Sequence, residues 1–331
     1  VRRFAWVEPG SLEEAVAVLA AAPETTRLIG GGSDLLGEMK EGVETPERLV
    51  SVPAIPGLDA IAAGPEGLRL GAAATLHRLL AEPVVWRDYP VLAHAALRVA
   101  TPQIRTTATV AGNLCQRPRC WYYRSPHVAC RKKGGTTCPA IEGQHRYLAV
   151  IDGGPCLIVH PSDLAPPLVA LDATIHLVGP AGRRSLALED FFVGPARDVL
   201  RENVLGPGEL VAEVSVPPPR PGARSLFLKT RERSVWDFAM TSCTVVLRVR
   251  DDVVDHVRIV LGGVAPTPYR PREAEARLLG RRPTPEAVAE AARLALAPAR
   301  PLPDNAYKVP QAEALIRRAV GSLSGPPVAA T

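Results

Sequence analysis

Six cysteines occur in this 331-residue chain, and five of them, Cys115, Cys120, Cys130, Cys138 and Cys156, fall in one stretch; only Cys243 lies apart. Disulfide frameworks belong to small secreted domains with too little core. This chain is long and 47 % hydrophobic, so metal or redox use is the better reading of its thiols. A second chemistry is written in glycine. Gly30-Gly31-Gly32-Ser33 separates the apolar run Arg27-Leu28-Ile29 from a helix-like segment. Glycines in that place let backbone N–H groups approach a phosphate, the helix start adds a favourable dipole, and Ser33 can donate a hydroxyl. A plain glycine-rich turn accounts for the same residues equally well. No Gly-Lys-Ser/Thr follows, so this is not a Walker loop, and it is not the dinucleotide GxGxxG pattern either. Thr109-Val110-Ala111-Gly112-Asn113 is a second small-residue element past which a bulky ligand could run.

These residues must be positioned by regular elements. The first fifty residues read as β-α-β-α-β. Phe4 to Val7 is a short strand. Ser11 and Glu14 form a capping box ahead of a helix carrying Ala15, Val16, Val18 and Leu19. Arg27 to Ile29 and Arg48 to Val52 are strands, closed by Pro53 and Pro56. A second unit runs over residues 57–180, with strands at Leu68 to Ala72, Tyr147 to Ile151 and Cys156 to His160, and a helix near Pro90 to Val99. A third unit spans 185–325. It opens with the alternating strand Glu209 to Val216 and continues through strands at Cys243 to Val249 and Val257 to Leu261. Helices follow over residues 271–321, and a loose tail runs from Gly325 to Thr331.

Composition narrows the function. A net charge of +5 is modest for this length, and basic residues concentrate only between Arg117 and Lys133. Aromatics are 5 % of the chain, too few for the basic, aromatic face of a nucleic-acid binder. No apolar run reaches the roughly 20 residues of a membrane span. Arg2-Arg3 is followed by no apolar region, with Glu8, Glu13 and Glu14 close behind, so the segment is not a secretory signal. The expectation is a cytoplasmic protein, or a periplasmic one if a signal-bearing partner co-exports it.

Six motifs in fixed order resemble the FAD-binding subunit of the xanthine dehydrogenase and carbon monoxide dehydrogenase family of molybdenum hydroxylases. Leu28-Ile29-Gly30-Gly31-Gly32-Ser33-Asp34-Leu35 resembles its first pyrophosphate loop, and Thr106 to Asn113, with Thr109, Ala111, Gly112 and Asn113, its second flavin loop. Pro161-Ser162-Asp163-Leu164 resembles a segment whose Asp contacts the cofactor. Gly208-Glu209-Leu210-Val211 precedes a strand ending in prolines, Phe227-Leu228-Lys229 resembles the aromatic-x-Lys segment beside the flavin ring, and Leu261 to Pro266 a later glycine motif. Ser33 stands where the family often has Thr or His, Ala111 where it often has a second Gly, and Phe227 where several relatives have Tyr. Stacking on the flavin is expected of Phe227, without the phenol's hydrogen bond.

The resemblance implies an α+β chain. A two-subdomain FAD-binding fold of the vanillyl-alcohol-oxidase (PCMH) type, over 1–56 and 57–180, precedes an α/β C-terminal domain with an antiparallel sheet and helices. It further implies FAD as cofactor and no catalytic acid or base, since the redox chemistry is the cofactor's. The implied partners are a molybdenum-cofactor subunit and a [2Fe-2S] subunit, in a heterotrimer or its dimer, with an external electron acceptor.

Compared with plain flavin subunits, the chain carries an insertion at about 114–156. It resembles those of periplasmic aldehyde oxidoreductases and 4-hydroxybenzoyl-CoA reductases, and Asn113-Leu114-Cys115-Gln116-Arg117-Pro118-Arg119-Cys120 is nearest the aldehyde branch. Cys115 need not be Cys there, which leaves Cys120, Cys130, Cys138 and Cys156 as ligands of a [4Fe-4S] cluster. Cys138-Pro139 is a pairing also seen in ferredoxin cluster loops. Zinc normally brings tight Cys-x₂₋₄-Cys knuckles, which these four lack. Arg117, Arg119, Arg124, Arg131, Lys132 and Lys133 are expected to offset the cluster's charge, or to form a solvated basic loop. Trp121-Tyr122-Tyr123 is expected to pack around the cluster and His160 to be structural. Two other readings stay open: a zinc-bound scaffold with relic flavin loops, and a stand-alone flavin oxidase or reductase. An aldehyde is the expected substrate of the complex, with an aromatic acyl-CoA, a purine or another heterocycle as alternatives.

Overall fold

The structure, a computed structural model, describes residues 1–325; the expected loose tail lies, from residue 326, outside the described residues. The N-terminal unit is β1 (Ala5–Val7), a helix at Leu12–Ala21, β2 (Thr26–Ile29), a helix at Leu35–Glu41 and β3 (Arg48–Ser51). The three strands are parallel with β3 in the middle. Ser11 Oγ caps the first helix by accepting the Glu14 N–H at 3.1 Å. The Glu14 carboxylate accepts the N–H of Gly10 at 2.7 Å, one residue before the cap, so the box closes one position early. Ala15, Val16 and Leu19 bury that helix's inner face.

The second sheet is antiparallel and five-stranded, in the order β4 (Ile61–Gly64), β5 (Gly67–Gly71), β8 (Leu210–Val216), β6 (Thr174–Gly179), β7 (Gly182–Ala187). The strand over 209–216 therefore belongs here, contrary to the expectation from sequence that it opens the third unit. It fills the gap between β5 and β6, where Val214 opposes Leu70 on one side and Ile175 on the other. Val214 thereby gains two apolar neighbours, while Leu210 opposes Val178 and Val216 opposes Leu68. The third unit begins only after Pro217-Pro218-Pro219. One continuous core joins the N-terminal helix, this sheet and the buried helices Pro90–Leu97 and Ala165–Ala170.

The C-terminal unit is an antiparallel sheet of β9 (Arg224–Thr230), β10 (Thr241–Arg250) and β11 (Val253–Gly262), with β10 central. Cys243, Val245, Leu247, Ile259 and Leu261 face the helices Arg272–Leu278, Pro285–Leu296 and Lys308–Ser324. Phe227, Val246 and Val260 on the opposite face join the core of the first two units. That is why β10 is buried without interruption from Thr241 to Leu247: a sheet covered on both faces loses the alternation of a half-exposed strand.

The cysteine segment between these units has almost no regular structure, only a turn of helix at Trp121–Arg124 and a 3-10 turn at Arg131–Lys133. The strands expected at 147–151 and 156–160 are extended loops instead. The Val264 carbonyl accepts the N–H groups of both Val150 (2.9 Å) and Ile151 (3.1 Å), and that of Ala265 accepts His160 N–H at 3.1 Å. Asp152 (φ 51°) and Gly154 (φ 47°) turn the chain sharply between the two runs, so no ladder propagates. No described helix is long and apolar enough to cross a membrane.

Candidate functional site

β2 ends where the chain turns through the three glycines. A Cβ on Gly31 would lie 2.0 Å from the Thr107 carbonyl oxygen, and one on Gly30 would lie 2.8 Å from Thr109 Oγ1. Gly32 has φ of 70°, which a side chain rarely tolerates. The two small-residue loops, separated by some eighty positions, thus lie backbone against backbone. Among the described residues, no N–H from Gly31 to Leu35 donates to a backbone carbonyl. Five successive free donors beside a cleft make a cradle for an anion such as a pyrophosphate.

The second loop is locked from behind. Thr109 Oγ1 accepts the Gly112 N–H at 3.1 Å, and Asn113 Oδ1 accepts the Ser162 hydroxyl at 2.6 Å. Ser162 Oγ in turn accepts the Ala165 N–H at 3.0 Å. His160 is buried, and burial pushes its pKa down to about 4. Its ring bridges the Leu114 carbonyl and the Ser162 N–H, a neutral structural role. Asp163 is buried too, and burial pushes its carboxyl pKa up, opposed by Lys229. Lys229 Nζ donates to Asp163 Oδ2 at 2.6 Å and to the Asp237 carbonyl at 2.7 Å.

Three connected hollows follow this framework. The first, about 580 Å³, is lined by Leu28, Gly30 to Leu35, Thr109, Gly112, Asn113 and Asp163. A second, about 570 Å³, shares Leu28, Gly30, Thr109 and Gly112 and adds Ala111 and Leu210. A third, about 310 Å³, shares Asp163 and adds Cys120, Ser162 and Gly263. The expected cofactor residues are therefore brought together, with three exceptions. Ile29 faces a small core with Met39 and Leu49. Lys229 lines none of the three hollows and reaches them through Asp163. Phe227 is the correction: its ring is buried in the core and lines none of the hollows, because its position on β9 points inward at the sheet covered on both faces.

Sequence reasoning missed the rim. Arg233, Trp236, Asp237 and Phe238 line the 580 Å³ hollow, as does Ala100. Trp236 (φ 53°) and Ala100 (φ 46°) both hold left-handed backbone, and the Trp236 N–H donates to the Ala100 carbonyl at 3.2 Å. An exposed Trp-Asp-Phe run outside any element was the only signal available.

The cysteine segment is fixed by charge. Asp34, at the end of the glycine loop, accepts the Arg117 N–H at 2.7 Å, Arg124 Nη2 at 2.7 Å and Arg119 Nη1 at 2.8 Å. Tyr123 donates its buried hydroxyl to Glu38 at 2.5 Å, and burial pushes the Glu38 carboxyl pKa up. Glu202 pairs with Arg117 at 2.6 Å and with buried Lys132. Four of the six bases expected to offset a cluster are thus matched by carboxylates outside the segment. At its far end, Lys308 donates to the Tyr147 and Gly263 carbonyls at 2.9 and 2.6 Å, and burial lowers its pKa to about 7.

Cys130 and Cys156 are buried, Cys120 and Cys138 half-buried. Burial raises the Cys120 pKa, and charge on Cys138 and Cys130 adds to the shift; backbone N–H groups of Tyr122 and Tyr123 oppose it. Cys156 is pushed up to about 11 by burial, and it senses Cys138 and Cys120. The four sulfurs are thus electrostatic neighbours. Among the described residues, however, no three His, Cys, Asp or Glu side chains converge on one metal-ion position. The expected ligands are therefore not gathered as a single-ion site, which needs thiolates about 2.3 Å from one point.

Two glycine loops packed together under a long three-part cleft define a nucleotide-cofactor protein. Residues 2–219 match the FAD-binding domain in molybdopterin dehydrogenase, and residues 227–323 match the CO dehydrogenase flavoprotein C-terminal domain. The chain belongs to this family of FAD-binding subunits of molybdenum-hydroxylase-type dehydrogenases. It is 39 % identical over 256 residues to the aldehyde oxidoreductase FAD-binding subunit of Escherichia coli strain K12, covering 76 % of this chain and 79 % of that one. It is 31 % identical to the carbon monoxide dehydrogenase medium chain of Hydrogenophaga pseudoflava, covering 97 % and 96 %. The solved structure of carbon monoxide dehydrogenase from the same organism superposes with a TM-score of 0.78 at 29 % identity, covering 97 % of each chain. The resemblance read from the six motifs is borne out, as is the fold it implied.

Proposed function

We propose that this chain is the FAD- and iron–sulfur-carrying electron-transfer subunit of an aldehyde-oxidising molybdenum hydroxylase. A molybdenum-cofactor subunit oxidises the aldehyde, a [2Fe-2S] subunit relays the electrons, and this chain passes them to an external acceptor. The observation that carries the reading is the three-part cleft lined by the paired glycine loops. Gly31 to Leu35 offer N–H donors to the pyrophosphate of FAD, and Thr109, Ala111, Gly112, Asn113, Asp163 and Leu210 line its path. Bound there, the flavin supplies the exchange between one- and two-electron chemistry. The protein's residues bind it, orient it and set its surroundings.

Cys120, Cys130, Cys138 and Cys156 are the proposed ligands of a [4Fe-4S] cluster. Their mutual electrostatic influence supports this, and four thiolates are the ligand set that such a cluster takes. The 39 % identity to an aldehyde oxidoreductase subunit supports the substrate class.

Purification under argon, followed by an absorption spectrum and iron, sulfide and zinc analysis, tests the reading. The expected result is flavin with about four irons per chain. The iron should be lost in Ser variants of each of the four cysteines and kept in Cys115→Ser and Cys243→Ser. One zinc and no iron would leave the flavin subunit standing and remove the cluster. The complex should reduce an artificial acceptor with aldehydes and not with purines or carbon monoxide.

A further inference from the structure

We propose that Arg124 is a positioning residue for the cofactor: it lines none of the three hollows, yet by neutralising the acidic face that carries Asp34 it lets the glycine cradle accept a pyrophosphate. The inference rests on FAD occupying that cradle, as proposed above.

The cradle has an acid built into it. Asp34 contributes one of its free N–H donors and lines the 580 Å³ hollow, so its carboxylate stands beside any anion held there. Glu38, one helical turn on, lines the same hollow. Negative charge at that edge repels a pyrophosphate unless it is matched. The cysteine segment matches it. Arg119 Nη1 and Arg124 Nη2 both reach Asp34 Oδ1, at 2.8 and 2.7 Å, and Arg124 Nη1 lies 4.0 Å from Glu38. Two cations therefore meet two carboxylates. The other acids of the hollow have partners of their own: Glu44 pairs with Arg27, Asp163 with Lys229 and Asp237 with Arg233.

Arg124 is fixed within the segment. Its Nε donates to the Pro118 carbonyl at 2.8 Å and its Nη2 to that of Arg117 at 3.1 Å, and its guanidinium lies over the Tyr123 ring at 5.6 Å. Its charge therefore reaches the cradle only when the segment is docked. Docking and cofactor binding are then linked, and each strengthens the other by the same factor.

Titration of the flavin-free full chain with FAD at pH 8 tests the charge count. Arg124→Met leaves the acidic face one negative charge in excess and should weaken FAD binding about tenfold. Arg124→Lys keeps the charge and should return most of the loss. Asp34→Asn leaves one positive charge in excess and should tighten FAD binding, because Glu38 and Glu202 still hold the segment. Asp34→Asn combined with Arg124→Met restores the balance and should bind FAD within about threefold of the unaltered chain. FAD should also slow exchange of the Arg124 amide, bonded to the Cys120 carbonyl at 2.9 Å, by about tenfold. A double variant no better than Arg124→Met, or unchanged exchange at Arg124, would overturn the proposal. So would weaker binding in Asp34→Asn, which reads out even if Arg124→Met does not fold. An unaltered chain that takes up no FAD would instead sink the reading of the cleft, and that is settled before any variant is measured.

Discussion

The flavin cleft and the cysteine segment touch at Asp34 and are built by opposite means. The cleft is made of backbone. Its first loop ends a strand and its second follows a short helix, Gly31 admits a carbonyl oxygen where a side chain would stand, and a continuous apolar core lies beneath it. The cysteine segment has little regular structure and is fixed by basic side chains and the Tyr123 hydroxyl reaching out to Asp34, Glu38, Glu202 and Glu232. Where hydrophobic burial cannot fix a chain, buried hydrogen-bonded charges can, but each then depends on its partner.

The sharpest break in that contrast is Glu202→Gln. It strands buried Lys132 without a countercharge and leaves Arg117 only the longer pairing with Glu44 at 3.8 Å, and a loss of about 3–5 kcal/mol is expected in urea unfolding. A loss under 1 kcal/mol would mean that the segment is not held by charge. Gly31→Ala attacks the other region. Its Cβ meets a carbonyl rather than a flexible side chain, so about 1–3 kcal/mol of strain is expected, with loss of flavin from the purified chain. Full flavin content would refute the close packing of the two loops.

Asp34→Asn should cost about 1.5–3 kcal/mol, the range for a hydrogen bond to a charged group. Amide exchange should speed up over residues 117–124 while strands β2 and β3 stay protected. Equal acceleration in both would erase the distinction between the regions. Phe227→Leu is the smallest change. About 1 kcal/mol of stability should go, in line with a tolerated apolar swap, and the flavin spectrum should not move. A shifted spectrum would return that ring to the cofactor.

Legibility in the sequence followed the same division. The glycine loops, the capping box at Ser11 and the strands around Val214, Val245 and Ile259 were readable because local pattern and final environment agree. β8 was assigned to the wrong unit because alternation reveals that a strand is half-buried and says nothing about which sheet it joins. Phe227 was misplaced because a motif gives the order of side chains and not the face they occupy on β9. The rim at Trp236 depends on left-handed backbone at non-glycine residues, which no local rule announces. Asp34 was expected to serve the cofactor loop, yet its carboxylate is spent on three contacts some eighty to ninety positions away. The four thiols were found by their spacing, while the carboxylates that neutralise the neighbouring bases were invisible until the chain was folded.

The anchoring of the cysteine segment's far end has a consequence in time. His145 accepts a hydrogen bond from the Asp304 N–H, 159 residues later, and Lys308, which clamps the Tyr147 carbonyl, lies 161 residues on. Synthesis proceeds at about 5–20 residues per second, so roughly 8 to 32 s pass between the emergence of the segment and that of its last supports. Throughout that interval the segment and its five thiols lack these supports. Closure of the segment's far end is therefore a late event in the life of the nascent protein, reached only as the last helix emerges.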